Sequence, residues 1–164
     1  MSRPRPELVA FALGVLSLAL ILGALGFQYI GGYPPCEICH WQRWPHIAAA
    51  AIGILGGRAV SAKTVDAKLG WPIAILTILL VAISGAIGVY HAGIEWKWWP
   101  GPSACTGSAF QLTGKLDLNA HVVMCDHAAW RMIGISMAGY NAMISLGAAV
   151  LALVALTTRD EGPA

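Results

Sequence analysis

The sequence predicts an all-α membrane protein: a four-transmembrane-helix bundle with both termini cytoplasmic and a long second periplasmic loop. Three observations predict it. Apolar residues make up 57% of the 164 residues and charged residues only 11%, less than half the quarter usual in a soluble domain. Charges are also absent from whole runs: Leu8 to Cys36, Leu69 to Tyr90 and Met132 to Thr158 contain no Asp, Glu, Lys, Arg or His. Finally, a chain this short cannot bury so much apolar surface in a core of its own, so a bilayer is its natural solvent. The length allows a single domain, residues 1–164. A net charge of +2, with no dense basic cluster, argues against nucleic acid as a partner.

The first span is expected over 8–30. As a helix it measures roughly 34 Å, enough for a hydrocarbon core of about 30 Å. Arg3 and Arg5 ahead of it resemble a secretion signal, but the apolar stretch is too long for a signal core and reads as a retained helix. Gly31, Gly32, Pro34 and Pro35 then break the helix in a first outer loop, 31–40. The second span, 41–60, is the weakest. Its apolar part from Trp44 to Gly57, interrupted by His46, covers only roughly 21 Å. Arg43 or Arg58 must therefore lie near the hydrocarbon edge, where a long cationic side chain can snorkel. Pro45 either kinks a continuous helix or starts the span, and the sequence leaves both open.

The third span, 69–91, opens on Trp71-Pro72, with proline at a tolerated first-turn position, and fades around His91. The fourth is 132–158. Between them the loop 92–131 is the one segment with room for structure outside the bilayer. Its start, Glu95-Trp96-Lys97-Trp98-Trp99-Pro100, is aromatic and polar together and is expected to lie along the membrane surface. Trp41, Trp44 and Trp130 fit the same outer belt and Trp71 the inner one. Gly23, Gly26, Gly53, Gly56, Gly85 and Gly88 suit close helix packing, and Asn141 suits an interhelical hydrogen bond.

Four spans place both termini on one side with the middle loop. Arg3, Arg5, Arg58, Lys63, Lys68 and Arg159 fall there, against Arg43, Lys97, Lys115 and Arg131 opposite. The basic bias points the termini to the cytoplasm. All four cysteines then lie on the outer side, which in a bacterium is the oxidising periplasm.

Those cysteines carry the chemistry. Cys36 and Cys39 form a Cys-x-x-Cys at the head of the second span. That spacing closes into an exchangeable disulfide, and a helix N-terminus favours the thiolate. Arg43 follows Cys39 by one turn on the same face. Cys105 and Cys125 lie twenty residues apart in the outer loop. A disulfide between them would constrain that loop, but four cysteines allow three connectivities. With a Cys-x-x-Cys on the same membrane face, exchange among them reads better than a staple. His40, His91, His121 and His127 invite a metal, yet no second Cys-x-x-Cys appears and an oxidising compartment keeps thiols unavailable as ligands, so none is expected. No hydrolase nucleophile arrangement or phosphate loop is present.

Taken together, Cys-x-x-Cys-x-x-x-Arg opening helix 2, Tyr90-His91 ending helix 3, two loop cysteines, and Cys125-Asp126-His127-Ala128-Ala129-Trp130-Arg131-Met132 entering helix 4 resemble the disulfide-bond-formation protein B (DsbB) family of bacterial inner-membrane thiol:quinone oxidoreductases. The resemblance spans nearly the whole chain. It implies an enzyme that reoxidises a periplasmic thioredoxin-fold dithiol oxidase of the DsbA type and reduces a quinone, ubiquinone or menaquinone. By the same resemblance Cys105 takes the partner's thiolate, Cys125 completes that disulfide and exchanges with Cys36, and Cys39 faces the quinone. Arg43 matches the family arginine at the quinone and His91 a family histidine near it. The chain departs from the pattern at Gln42, where some members are acidic, and in a shorter stretch between Cys105 and Cys125. Two other readings are a vitamin K epoxide reductase-like enzyme, whose Cys-x-x-Cys falls late in the bundle instead of opening helix 2, and a non-catalytic membrane protein with two structural disulfides.

Overall fold

The computed structural model describes residues 5–103, 105 and 123–158; Arg3, Lys115, His121 and Arg159 lie outside them. Helix α1 is Pro6–Tyr29. It starts with proline at a position whose missing N–H costs nothing, and the chain leaves it through Gly32, which sits in the left-handed region at φ 71°. Helix α2 is Glu37–Ala51, and it passes through a π-helical turn, Ile52–Gly56, into α3, Gly57–Ser61, without a break. Pro45 lies inside this continuous helix, which resolves the two alternatives left by the sequence. A 3₁₀ turn at Ala67–Leu69, capped by the Asp66 side chain, leads into α4, Gly70–Glu95.

Helix α4 runs one turn beyond its expected end at His91. The next residues look like a stop, with Gly93 and an acid, but they are buried there. The helix ends where Lys97 takes φ 62° and the Trp98 N–H reaches back to the Gly93 carbonyl at 2.8 Å. The last helix, α5, starts later than expected, at Met137, and runs to Thr157. The residues ahead of it fold into a small hairpin, β1 (Arg131–Met132) against β2 (Ile135–Ser136), with Arg131 opposite Ser136. Its two turn residues, Ile133 at φ 51° and Gly134 at φ 79°, have the paired positive φ of the tight turn that matches strand twist. Ser136 then accepts the Gly139 N–H as the α5 N-cap.

Three segments, Pro6–Tyr29, Ala67–Glu95 and Met137–Thr157, are long and apolar enough to cross a membrane. Helix α4 is the hub, packing on α1, α2 and α5. The core between them is built from small residues, among them Ala10, Ala49, Ala74 and Ala149, with Leu13, Ile78 and Val81. Backbones meet where glycine allows it. A Cβ on Gly14 would fall 2.7 Å from the Ile54 backbone nitrogen, and one on Gly53 would strike the Ala10 carbonyl. The π-helical turn lies at this contact. Gly85 and Gly88 do the same for α4 against α5, whereas Gly23 and Gly26 face nothing within 4 Å and are not packing glycines. Leu22, Leu55, Leu79 and Leu151 are each more than half exposed, the outward apolar surface that lipid would cover.

The bundle has two distinct ends. Gly70, at the start of α4, lies against Pro6 and Glu7 of α1. At the other end Cys36, Ile38, Ile94, Cys105 and Cys125 form a second buried cluster.

Candidate functional site

Cys36 is the N-cap of α2, its sulfur accepting the Cys39 N–H at 3.2 Å. One turn of helix brings the Cys39 Sγ to 2.8 Å from the Cys36 Sγ. Both are free thiols, Cys36 buried and Cys39 partly open. They stand ahead of residue 41, where the second expected span begins, and one hydrogen bond joins them. The hydrogen bond from Cys36 holds the Cys39 thiol below its ordinary value, while giving that bond, together with burial, pushes Cys36 up. Of the two, Cys39 is the sulfur on which the geometry favours negative charge.

Cys105 and Cys125 are joined in a disulfide with Cα atoms 5.3 Å apart, and the Cys125 N–H donates to the Cys105 carbonyl at 2.7 Å. A loop cysteine pair suggests an exposed, mobile disulfide. Instead Cys105 is 4% and Cys125 0% exposed, because Ile38, Ile94 and Cys36 provide an apolar seat. Lys97 fastens the next residue, its Nζ lying 2.6 Å from the Asp126 Oδ2 and 3.1 Å from the Asp126 carbonyl. That ammonium holds the Asp126 carboxyl below the usual carboxylate range.

His91 projects from α4 with Nε2 3.6 Å from the Cys36 Sγ and 3.7 Å from the Glu95 Oε1. The extra turn of α4 makes Glu95 its neighbour at i+4. Glu95 is therefore buried in the site, not part of the surface-lying aromatic stretch, and its Oε2 has no hydrogen-bond partner among the described residues. Trp99 folds back over Gly93 and donates to the Tyr90 carbonyl at 2.9 Å, while Trp96 and Trp98 stay exposed. Arg43 extends toward α1, donating to the Gln28 Oε1 at 2.7 Å. The Cys36 and Cys39 sulfurs and the His91 ring lie within 4.8 Å of one another, a spacing at which three ligands can also meet a metal ion. His40 and His127 stand apart from that group and are exposed at the surface.

Beside these groups is a cavity of about 320 Å³. Leu20, Phe27, Met137 and Ile144 give it apolar walls, and Cys39, Arg43, His91 and Glu95 are among its polar lining residues. The sequence brought Cys36, Cys39, Arg43 and His91 to attention. It marked Gln42 only as a departure from the family pattern, not as the residue whose amide lies 2.9 Å from His91, and it gave Gln28 and Glu95 no place in the site. Helical spacing could have found two of them, since Gln42 follows Cys39 by three residues and Glu95 follows His91 by four.

A helical membrane protein that packs a loop disulfide onto a Cys-x-x-Cys dithiol belongs to the thiol–disulfide exchange class. The family profile described as disulfide bond formation protein DsbB matches residues 6–155, and the chain belongs to that family. Its membership makes it an oxidoreductase of the disulfide-forming machinery. Disulfide bond formation protein B of Burkholderia thailandensis (strain ATCC 700388 / DSM 13276 / CCUG 48851 / CIP 106301 / E264) is 33% identical over 89 residues, 54% of this chain and 47% of that protein. An uncharacterized protein of Rickettsia prowazekii (strain Madrid E) is 21% identical over 154 residues, 89% of this chain and 85% of that one. No solved structure matches the chain.

Proposed function

We propose that the chain is one four-helix membrane domain, residues 1–164, that reoxidises a soluble thioredoxin-fold dithiol oxidase of the DsbA type and passes two electrons to a quinone, ubiquinone or menaquinone. The continuous helix from Glu37 to Ser61 supports the fourth crossing, since at 1.5 Å per residue it is long enough for a core of about 30 Å. The termini then face the cytoplasm, and the cysteine end faces the periplasm across a bacterial inner membrane.

The observation that carries the reading is the position of the dithiol. It packs against a disulfide and also lines an apolar cavity that Arg43 lines with it. In this scheme the partner's thiolate attacks Cys105. The Cys105–Cys125 bond breaks, a mixed disulfide forms on Cys105, and Cys125 leaves as a thiolate. Cys125 then attacks Cys36 of an oxidised Cys36–Cys39 pair, which releases Cys39 as a thiolate toward the cavity. The partner's second thiolate attacks its own bonded sulfur, leaves as a disulfide protein and frees Cys105. Cys105 reforms its bond with Cys125, and Cys36 is left reduced. The hydrogen bond from Cys36 favours this order because it stabilises negative charge on the Cys39 sulfur.

The cavity suits a quinone: its walls accept a ring and an apolar tail, and Glu95 Oε2 is a buried polar atom still open to a partner. What a bound quinone supplies is an acceptor for two electrons and two protons. Arg43 and His91, which line the cavity, would hold it, and the guanidinium charge would stabilise negative charge in a water-poor site.

Replacing Cys39 by Ser tests the order. With reduced partner and quinone-loaded membranes, Cys39→Ser is expected to lose quinol formation while still trapping the partner on Cys105. Continued turnover of Cys39→Ser contradicts the scheme.

A further inference from the structure

Behind His91 the bundle holds a chain of buried polar side chains that the exchange scheme does not use. Ser17 Oγ lies 3.1 Å from His46 Nδ1, and His46 Nε2 lies 2.9 Å from Asn141 Oδ1. The Asn141 Nδ2 is 2.8 Å from Gln42 Oε1, and the Gln42 Nε2 is 2.9 Å from His91 Nδ1. Ser17 is 0% exposed, His46 4%, Gln42 7% and His91 3%. Buried polar groups of this kind are hydrogen-bonded in one defined sense or they destabilise the fold.

The sense is fixed by two backbone carbonyls, which can only accept. Ser84 Oγ donates to the Gln42 carbonyl at 2.9 Å. The Asn141 amide nitrogen lies 3.2 Å from both the Ser84 carbonyl and the Ser84 Oγ. A reversed Asn141 would press its oxygen on the Ser84 carbonyl. Asn141 therefore presents N–H to Gln42 and oxygen to His46. Gln42 must then accept with Oε1 and donate with Nε2. His91 Nδ1 receives that N–H, so it carries no proton, and the ring proton sits on Nε2. That nitrogen is the one facing Cys36 Sγ and Glu95 Oε1.

We propose that Gln42 and Asn141 are positioning residues that hold His91 in the Nε2–H tautomer, so that it offers Cys36 and Glu95 a hydrogen-bond donor and not a base. The anchor is the Ser84 carbonyl on α4, and every link from it to His91 points the same way. A donor at Cys36 stabilises negative charge on that sulfur, whereas a bare nitrogen would draw off its proton. The proposal rests on the exchange function proposed above for its use, but the tautomer follows from the geometry alone. Gln42 is also the position at which the chain departs from acidic family members. A carboxylate there can only accept, so it would call for a proton on Nδ1.

The test is the nitrogen NMR of ¹⁵N-histidine-labelled full-length protein in micelles, with the His91 signals assigned by substituting each histidine in turn. The wild type is expected to show His91 protonated at Nε2 and bare at Nδ1. Gln42→Glu is expected to move a proton onto Nδ1. Ser17→Ala, beyond the anchor, is expected to alter His46 and leave the His91 tautomer as it is. A second readout is the rate at which Cys105 displaces Cys36 from Cys125, the step that leaves Cys36 as a thiolate, followed by acid quenching of mixed disulfides. Gln42→Glu should slow it about tenfold, the loss expected for one hydrogen bond to a charged group, with capture of the partner on Cys105 unchanged. A wild-type His91 protonated at Nδ1, or a tautomer indifferent to Gln42→Glu, overturns the proposal. If the protein exchanges no thiols with any partner, the function fails while the tautomer result still decides the proposal.

Discussion

At the residue scale the active pair is asymmetric. Cys36 and Cys39 share a helix turn and a hydrogen bond, yet Cys36 is buried and donates that bond while Cys39 is partly open and is the sulfur on which negative charge is favoured. The helix N-terminus adds to the effect by favouring negative sulfur. In the reduced protein, iodoacetamide is expected to alkylate Cys39 at pH values below about 8.5, where an ordinary thiol is mostly protonated, and to leave Cys36 unmodified. Mass spectrometry of the labelled peptides checks this, and preferential labelling of Cys36 would contradict it. Cysteine spacing made the pair legible in the sequence because two sulfurs three residues apart have few other uses. Arg43 was legible for its helical offset. Glu95 was not, since an acid beside Trp96 and Lys97 reads as surface until the length of α4 is known. Gln42 and His46 on α2 meet Asn141 on α5 only through tertiary packing of the two helices, and no local pattern signals that.

At the element scale, the helices approach through glycine, and the sequence could not say which glycines. Gly53 and Gly23 look alike as small residues in apolar runs, but only Gly53 touches another backbone. Gly53→Val is expected to lower stability by about 1–3 kcal/mol, the usual cost of overpacking, and Gly23→Ala to cause no loss; thermal unfolding in detergent separates them. The start of α5 was misplaced for a related reason. Composition alone runs on from Met132, but the Ile133-Gly134 turn commits the chain to a hairpin before Ser136 caps the helix.

The seat of the loop disulfide depends in part on Lys97 and Asp126. The Asp126 carboxyl is depressed in the folded state by Lys97, so its contribution is present above the unfolded value of about 3.9 and is lost as pH falls through the folded one. Reduction of Cys105–Cys125 by a phosphine, which acts at low pH, is expected to hold steady above about pH 4 and to quicken two- to fivefold below it, the scale of an exposed ion pair. Lys97→Met should show the faster rate already at neutral pH. A rate independent of both pH and Lys97 would show that the apolar seat alone holds the disulfide.

At the scale of the whole molecule, the proposed function sets a water-soluble chemistry beside a lipid-soluble one. The three apolar helices are plain from their charge-free runs alone, because a bilayer demands length and composition and little else. The helix bearing the dithiol was hardest to read. It carries Arg43, Pro45, His46 and Gln42, and these polar residues serve the site and the hydrogen-bond network instead of the lipid. The site's components were thus visible in the sequence, while their arrangement around α4 was not. The most direct test of electron flow through this arrangement is quinol formation in bilayers that contain the purified protein and a quinone. Reduced thioredoxin-fold partner is added, and quinone absorbance and partner thiols are followed together. One quinol for each partner disulfide formed is the predicted result. A partner that remains reduced, or is oxidised with no quinol appearing, would contradict the account.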